Sequence, residues 1–265
     1  MRLNNVIPYS KRDSLRKITI PTTLTPELSQ IMAVILGDGH LECGKRYSQT
    51  VMYRINIAGS LSEDFAYYKK IINPIFLKLF NIECNFILQR RDELAVSVYS
   101  KAIAFFIKSL GIKPGRKVDN NKIPPLILNS NDEVKKKFIR GIFDTESSIS
   151  FKKDNKGFHS KPIISISMKS KIFIEQLKEL LDHFNFNPTC FSEKSMRRNK
   201  IHTRYTIELA GKKKLSQFLE LINFGNPRHL TKIEIYKKFG FYPPRLKYKE
   251  RLDILEGKID PHSFY

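Results

Sequence analysis

The sequence predicts an α+β protein in which one α-β-β-α-β-β-α unit occurs twice. Three observations carry this expectation. Two apolar, helix-like runs end alike on a carboxylate: residues 31–39, IMAVILGDG, close on Asp38, and residues 139–147, IRGIFDTES, close on Glu146. The same order of elements follows each run. The stretches that end the two units, residues 111–125 and 225–244, share an initial Gly, a Pro, an Arg and a terminal Pro-Pro.

The elements follow in order. The first helix starts at Thr25-Pro26, because Thr is a good N-cap and Pro suits the first helical position, where an N–H has no partner. Leu28, Ile31, Met32 and Ile35 form its apolar stripe, and Gly37-Asp38-Gly39 stops it. A turn around Gly44 leads to a strand at 51–58. A helix carrying Phe65, Tyr68, Ile72 and Phe76 follows, then strands at 85–91 and 94–99 and a helix at 101–110. The second unit starts at Ser130-Asn-Asp-Glu133, an S-x-x-E capping box, with Val134, Phe138 and Ile142 on one helix face. Strands at 148–151 and 162–168, a helix at 171–184, strands at 189–194 and 204–210 and a helix at 213–224 repeat the order.

The bulk numbers point to a polyanionic partner. The chain has 265 residues, 41% of them hydrophobic and 11% aromatic, enough for a folded core. Its 47 Lys and Arg against 26 Asp and Glu leave a net charge of +21, which favours nucleic acid. The first fourteen residues lack the apolar core of a signal peptide, and no long apolar run suggests a membrane partner. Cys43, Cys84 and Cys190 have neither zinc nor disulfide spacing. An intracellular protein is expected, cytoplasmic or nucleoid-associated, with an organelle-encoded origin left open.

At its two acid-terminated helices the chain resembles the LAGLIDADG homing endonucleases, in the single-chain form with two motif copies. Asp38 and Glu146 match the motif's functional acid. Ala33 and Gly141 match the position where the family keeps a small residue for close helix packing. The resemblance covers roughly residues 25–225 and implies a pseudo-twofold duplication with two antiparallel sheets forming a DNA-binding saddle. It divides the chain into a basic arm (1–24), a first half (25–128), a second half (129–225) and a C-terminal extension (226–265). Leu36 departs from the consensus first acid, Thr145 from the small residue before the second acid, and Ser147 from the glycine after it. A positive φ at that last position is expected to strain Ser147 by about 1 kcal/mol.

The resemblance implies a metal-dependent endodeoxyribonuclease that cuts both strands of duplex DNA, acting as a monomer. Helix C-termini carry partial negative charge, so two acids there favour a divalent cation, Mg²⁺ or another such as Mn²⁺. Asp38 and Glu146 are then both metal ligands and catalytic groups. Lys101 and Lys213, each near the start of the helix after its unit's fourth strand, are the expected charge-stabilising groups, and Asn56 and Gln89 could orient water. His40 is read as incidental, and Phe105 and Phe218 as core.

Basic residues in strands and their turns are the expected DNA contacts: Lys45, Arg46, Arg54, Gln89, Arg90 and Arg91 in the first half. In the second they are Lys152, Lys153, Lys194, Arg197, Arg198, Lys200 and Arg204, with Lys156 and Lys161 beside them. Arg and Gln can read base edges, whereas lysines meet phosphates. An RNA maturase assisting intron splicing and a non-cleaving DNA-binding regulator use the same scaffold and remain as alternatives. Beginning with Met1 and ending in Tyr265, with no terminal His-Asn pair, the chain is not expected to be a complete intein; a free-standing protein, one encoded within an intron and one excised from a larger host all stay open.

Overall fold

The computed structural model describes residues 2–3, 6–45, 51–89, 91–115, 121–197 and 200–265, excepting the side chains of Lys45, Arg197 and Lys200. It divides into two compact units, Met1–Val118 with Ile123–Thr145 and Asp119–Lys122 with Glu146–Tyr265. The boundary by packing falls at Thr145, so nearly all of the second motif helix packs within the first unit.

In the first unit, α1 (Lys11–Leu15) precedes α2 (Pro26–Gly37), the first motif helix. Thr25 caps α2 through its side chain, which accepts from the Leu28 N–H, and Pro26 opens the helix as expected. Strands β1 (Gly39–Lys45), β2 (Val51–Ser60), β3 (Asn85–Leu88) and β4 (Glu93–Tyr99) form an antiparallel sheet in the order β1-β2-β4-β3. Leu41, Ile55, Ile57, Val96 and Val98 share one face of it and are buried. Strand β1 corrects the expected turn around Gly44. Its glycines mask the alternation, but Leu41 is buried between the more polar His40 and Glu42.

The apolar stripe from Phe65 to Phe76 predicts one helix, and the structure breaks it into three pieces. Helix α3 (Leu61–Tyr67) runs into a π-helical turn, Tyr68–Ile72, and then α4 (Asn73–Phe80). Pro74 accounts for the interruption. A proline ring clashes with the carbonyl four residues back, here Lys70, and widening the turn that contains Lys70 relieves the clash.

Helix α5 (Lys101–Ser109) follows β4, and the short α6 (Pro125–Leu128) leads to α7 (Asp132–Glu146), the second motif helix. The expected Ser130 capping box is not what starts α7. Asn131 takes that role, its Oδ1 accepting from the Val134 N–H at 3.1 Å, while the Ser130 hydroxyl donates to the Ile127 carbonyl at 2.7 Å. Asn competes equally well with Ser as an N-cap, so the sequence offered two adjacent starts.

In the second unit β5 (Ser147–Lys153), β6 (His159–Met168), β7 (Thr189–Arg197) and β8 (Lys200–Ala210) repeat the order as β5-β6-β8-β7. Helices α8 (Lys171–His183) and α9 (Lys212–Leu221) pack on the face of Ile164, Ile166, Ile207 and Leu209. Two further helices, α10 (Pro227–Phe239) and α11 (Tyr248–Leu255), belong to this unit. Buried Arg251 joins them, its Nε donating to Thr231 Oγ1 at 3.0 Å.

One buried carboxylate ties α1 to α5 in the first unit. Asp13 is 1% exposed and accepts from the Ser10 N–H and hydroxyl and from the Ala102 N–H. Burial pushes its carboxyl up, but these hydrogen bonds outweigh burial and hold it below its ordinary value. A depressed carboxyl stabilises the fold above the unfolded pKa of about 4 and loses that contribution as pH falls through the folded value. Asp13→Ala is expected to cost about 1–3 kcal/mol at pH 7. Urea midpoints of wild type and variant should converge as the pH falls below 4; a pH-independent gap overturns this role.

Candidate functional site

Helix α2 is apolar on nearly every side, and Leu28 to Leu36 are all buried, polar Ser29 and Gln30 included. Such a helix must be covered all round. Helix α7 supplies one cover, burying Val134, Phe138, Ile139, Ile142 and Phe143. The Ser29 hydroxyl lies 2.9 Å from the Val134 carbonyl. Further along, a Cβ added at Gly141 would lie 2.7 Å from the Ala33 Cβ and 2.9 Å from the Gln30 carbonyl oxygen. The contacts advance together along both helices, so α2 and α7 run parallel. The two motif positions expected to be small therefore do meet.

Asp38 caps the C-terminus of α2 with φ −86° and ψ −4°, its N–H bonded to the Val34 carbonyl. Its own carbonyl accepts from the Ala58 N–H of β2 at 3.0 Å. Its Oδ2 lies 3.4 Å from the Tyr68 hydroxyl, which is also 3.1 Å from the Ala58 carbonyl. Gly39 is required by close approach, since a Cβ there would lie 2.5 Å from the Ile35 Cα.

Glu146 is the last residue of α7 and is half-buried, as Asp38 is. The strain expected at Ser147 does not arise. Neither Gly39 nor Ser147 is in the left-handed region, and Ser147 opens β5 as ordinary extended chain paired with Ile166. Thr145 also fits its place: its hydroxyl reaches the Gly141 and Ile142 carbonyls at 3.0 and 3.2 Å, serving helix carbonyls that lack partners at a C-terminus.

Gln30 of α2 belongs to a buried polar cluster that the sequence reading missed. Gln30, Tyr67 and Asp144 are all 2% exposed or less. Burial, then the charge of Asp144 and of Tyr68, push the Tyr67 hydroxyl well above its usual range. Burial also lowers the Lys137 ammonium on α7, with Arg140 adding to the shift and Glu27 and Asp144 opposing it. The available signal was Asp144 itself, an acid inside an apolar run.

The other expected site residues each have their own surroundings. Lys101 opens α5, and its ammonium lies over the Tyr53 and Phe105 rings at 5.8 and 6.0 Å. Lys213 is exposed in the first turn of α9. Asn56 accepts from the Ser97 hydroxyl at 2.6 Å, and Gln89 is exposed. His40 is 3.9 Å from Glu42. Phe218 is buried in the core, whereas Phe105 is half-buried against Tyr53.

Among the expected DNA contacts, Arg54 is held by Glu42 at 2.7 Å and lies over the Tyr99 ring. Arg91 is exposed in the β3–β4 turn with φ 60°. Lys152 and Lys161 stand directly opposite each other on β5 and β6, both exposed, and Lys153 is exposed beside them. Arg204 is exposed on that same sheet face, paired with Glu193, while Lys194 falls on the other face of the β7–β8 ribbon. Arg46, Arg90 and Arg198, and the side chains of Lys45, Arg197 and Lys200, lie outside the described residues.

Comparison with known proteins places this architecture. Residues 133–223 match the LAGLIDADG-like domain. The homing endonuclease I-DmoI in complex with DNA and Mn shares the fold with a TM-score of 0.53 at 17% identity, covering 76% of this chain and 98% of that one. The homing endonuclease I-WcaI bound to its DNA recognition sequence gives 0.50 at 17% identity, covering 82% and 89%. Among curated sequences, a glutamine–fructose-6-phosphate aminotransferase of Methanocaldococcus jannaschii is 24% identical over 84% of this chain and 19% of its own length. A tRNA-splicing ligase of Pyrococcus abyssi is 25% identical over 74% and 22%. The chain thus spans about a fifth of the length of these relatives. A LAGLIDADG-like domain in the second half, a like motif helix in the first and the fold of the homing endonucleases are together consistent with the two-motif LAGLIDADG family.

Proposed function

We propose that the chain is a site-specific endonuclease that hydrolyses both strands of duplex DNA with a divalent cation. One observation carries the reading: two motif helices pack in parallel, Gly141 directly against Ala33, and each ends on a half-buried carboxylate. Each helix end carries partial negative charge, and an acid placed on it adds to that unfavourable charge. A cation offsets it.

Asp38 and Glu146 would hold the metal. Among the described residues no group of three or more His, Cys, Asp or Glu is placed to bind an ion. Two carboxylates alone suit Mg²⁺, which takes one or two and completes its shell with water and phosphate oxygens. When bound, the cation activates water and neutralises the leaving oxygen. The chain's own part is to hold the carboxylates, through the Ala58 and Tyr68 contacts for Asp38, and to bind the duplex. The reading rests on the acids; neither Lys101 nor Lys213 carries it.

Charge placement supports a polyanionic partner. Like charges directly opposite on a sheet, as at Lys152 and Lys161, are destabilising unless something neutralises them. The curated relatives support a self-contained module. A segment common to an aminotransferase and an RNA ligase cannot carry both of their named activities.

The test is incubation with a randomised duplex library and Mg²⁺. Selective double-strand cuts are expected. Binding should weaken about 10³-fold or more between 50 and 200 mM salt as phosphate contacts release counterions. Binding without any cutting would overturn the nuclease reading and leave the regulator or maturase.

A further inference from the structure

We infer that Tyr68 is a positioning residue for Asp38, holding its carboxylate in the orientation that takes the metal. The inference rests on the reading of Asp38 as a metal ligand and adds a residue to it. Tyr68 is 1% exposed, and its hydroxyl is aimed at two acceptors, the Ala58 carbonyl at 3.1 Å and Asp38 Oδ2 at 3.4 Å. The Ala58 N–H in turn donates to the Asp38 carbonyl at 3.0 Å. One peptide unit of β2 therefore fixes the Asp38 backbone directly and the Asp38 side chain through the phenol seated on it. A phenol has a single proton to donate, so it is shared between the two acceptors. Distances of this length in metal-free sites shorten when the reacting complex forms.

Two features show that the chain is built around this ring. The Tyr68–Ile72 turn is π-helical, and Tyr68 is its first residue, so the widened turn sets the direction in which the ring leaves the helix. Gly59 then clears the ring's path: a Cβ there would lie 2.5 Å from Tyr68 Cε2. The neighbouring Tyr67 ring packs 5.4 Å from that of Tyr68 but serves the Gln30–Asp144 cluster instead. The second half is built differently here. Its corresponding helix, α8, is an unbroken α-helix, capped by Ser170 as Ser60 caps α3, and contains no tyrosine.

The experiment compares wild type, Tyr68→Phe, Gly59→Ala and Tyr67→Phe by calorimetric titration with Mn²⁺, and by the Mg²⁺ dependence of cleavage. Tyr68→Phe keeps the ring and removes the donor; Gly59→Ala keeps the donor and displaces the ring. Both should weaken Mn²⁺ binding about 10–100-fold, as loss of a partner behind a metal ligand does. The Mg²⁺ concentration for half-maximal cleavage should rise by a similar factor. Tyr67→Phe removes the neighbouring buried hydroxyl and should leave Mn²⁺ affinity unchanged, which ties the effect to Tyr68.

Unchanged Mn²⁺ affinity in Tyr68→Phe, with a wild type that binds Mn²⁺ and cuts DNA, overturns the role of Tyr68 alone. A wild type that binds Mn²⁺ and cuts nothing overturns the nuclease reading, while a weakened Tyr68→Phe still upholds the positioning role. A wild type that binds no Mn²⁺ overturns both.

Discussion

Asp38→Asn and Glu146→Gln are each expected to remove DNA cleavage while metal-free DNA binding persists. The amides keep the shape of the acids and lose the charge that holds a cation. A bound cation supplies several kcal/mol of transition-state stabilisation, so the expected loss is about 10³-fold or more. Stability should move the other way. An acid at a helix C-terminus is disfavoured by the helix dipole by about 0.3–1 kcal/mol, so each variant should melt at the wild-type temperature or above it. Loss of cutting together with a lower melting temperature would point to misfolding, and unchanged cutting by both variants would refute the assignment. The opposite signs follow from one cause: these carboxylates sit where the fold does not want them.

Gly141→Val should be the most damaging single change to the fold. The added Cβ meets the Ala33 Cβ at 2.7 Å and the backbone oxygen of Gln30 at 2.9 Å, so α2 and α7 must separate. Backbone cannot turn aside as a flexible side chain does. Overpacking of this kind costs typically 1–3 kcal/mol and occasionally more, and valine's helix propensity, a few tenths of a kcal/mol better than glycine's, offsets little of it. About 3 kcal/mol is expected from urea unfolding, read as a lower midpoint with an unchanged slope. Gly141→Ala gains helix propensity of up to about 1 kcal/mol and should cost less. If Gly141→Val is as stable as wild type, the parallel contact is not what holds the two helices together.

Much of this was legible in the chain. Strands β2, β4, β6 and β8 alternate or run apolar, and α2, α5, α8 and α9 carry helical stripes, so their types follow from periodicity. The motif pairing of Ala33 with Gly141 was legible because only small residues permit helices to approach so closely. Other features were hidden for physical reasons. The glycines at either end obscure the alternation of β1. Ser130 and Asn131 are equally good caps, and which one acts depends on how α6 leads into α7. Tyr68 reads as one more apolar residue in a stripe, because periodicity cannot tell a ring that fills the core from one whose hydroxyl reaches past Gly59 to an acid.

The repeated order of elements, β1 excepted, the basic charge and the two acid-terminated helices are written in the chain itself, since local propensity, patterning and composition act within short stretches. Tertiary structure alone decided what each acid rests against. Asp38 meets Ala58 and Tyr68 because β2 pairs with β1 and a π-helical turn, widened around the Pro74 clash, delivers the phenol. Asp144 joins Gln30 and Tyr67 because α7 lies parallel to α2. These are contacts between residues distant in the chain, set by burial and close packing, which no local signal encodes.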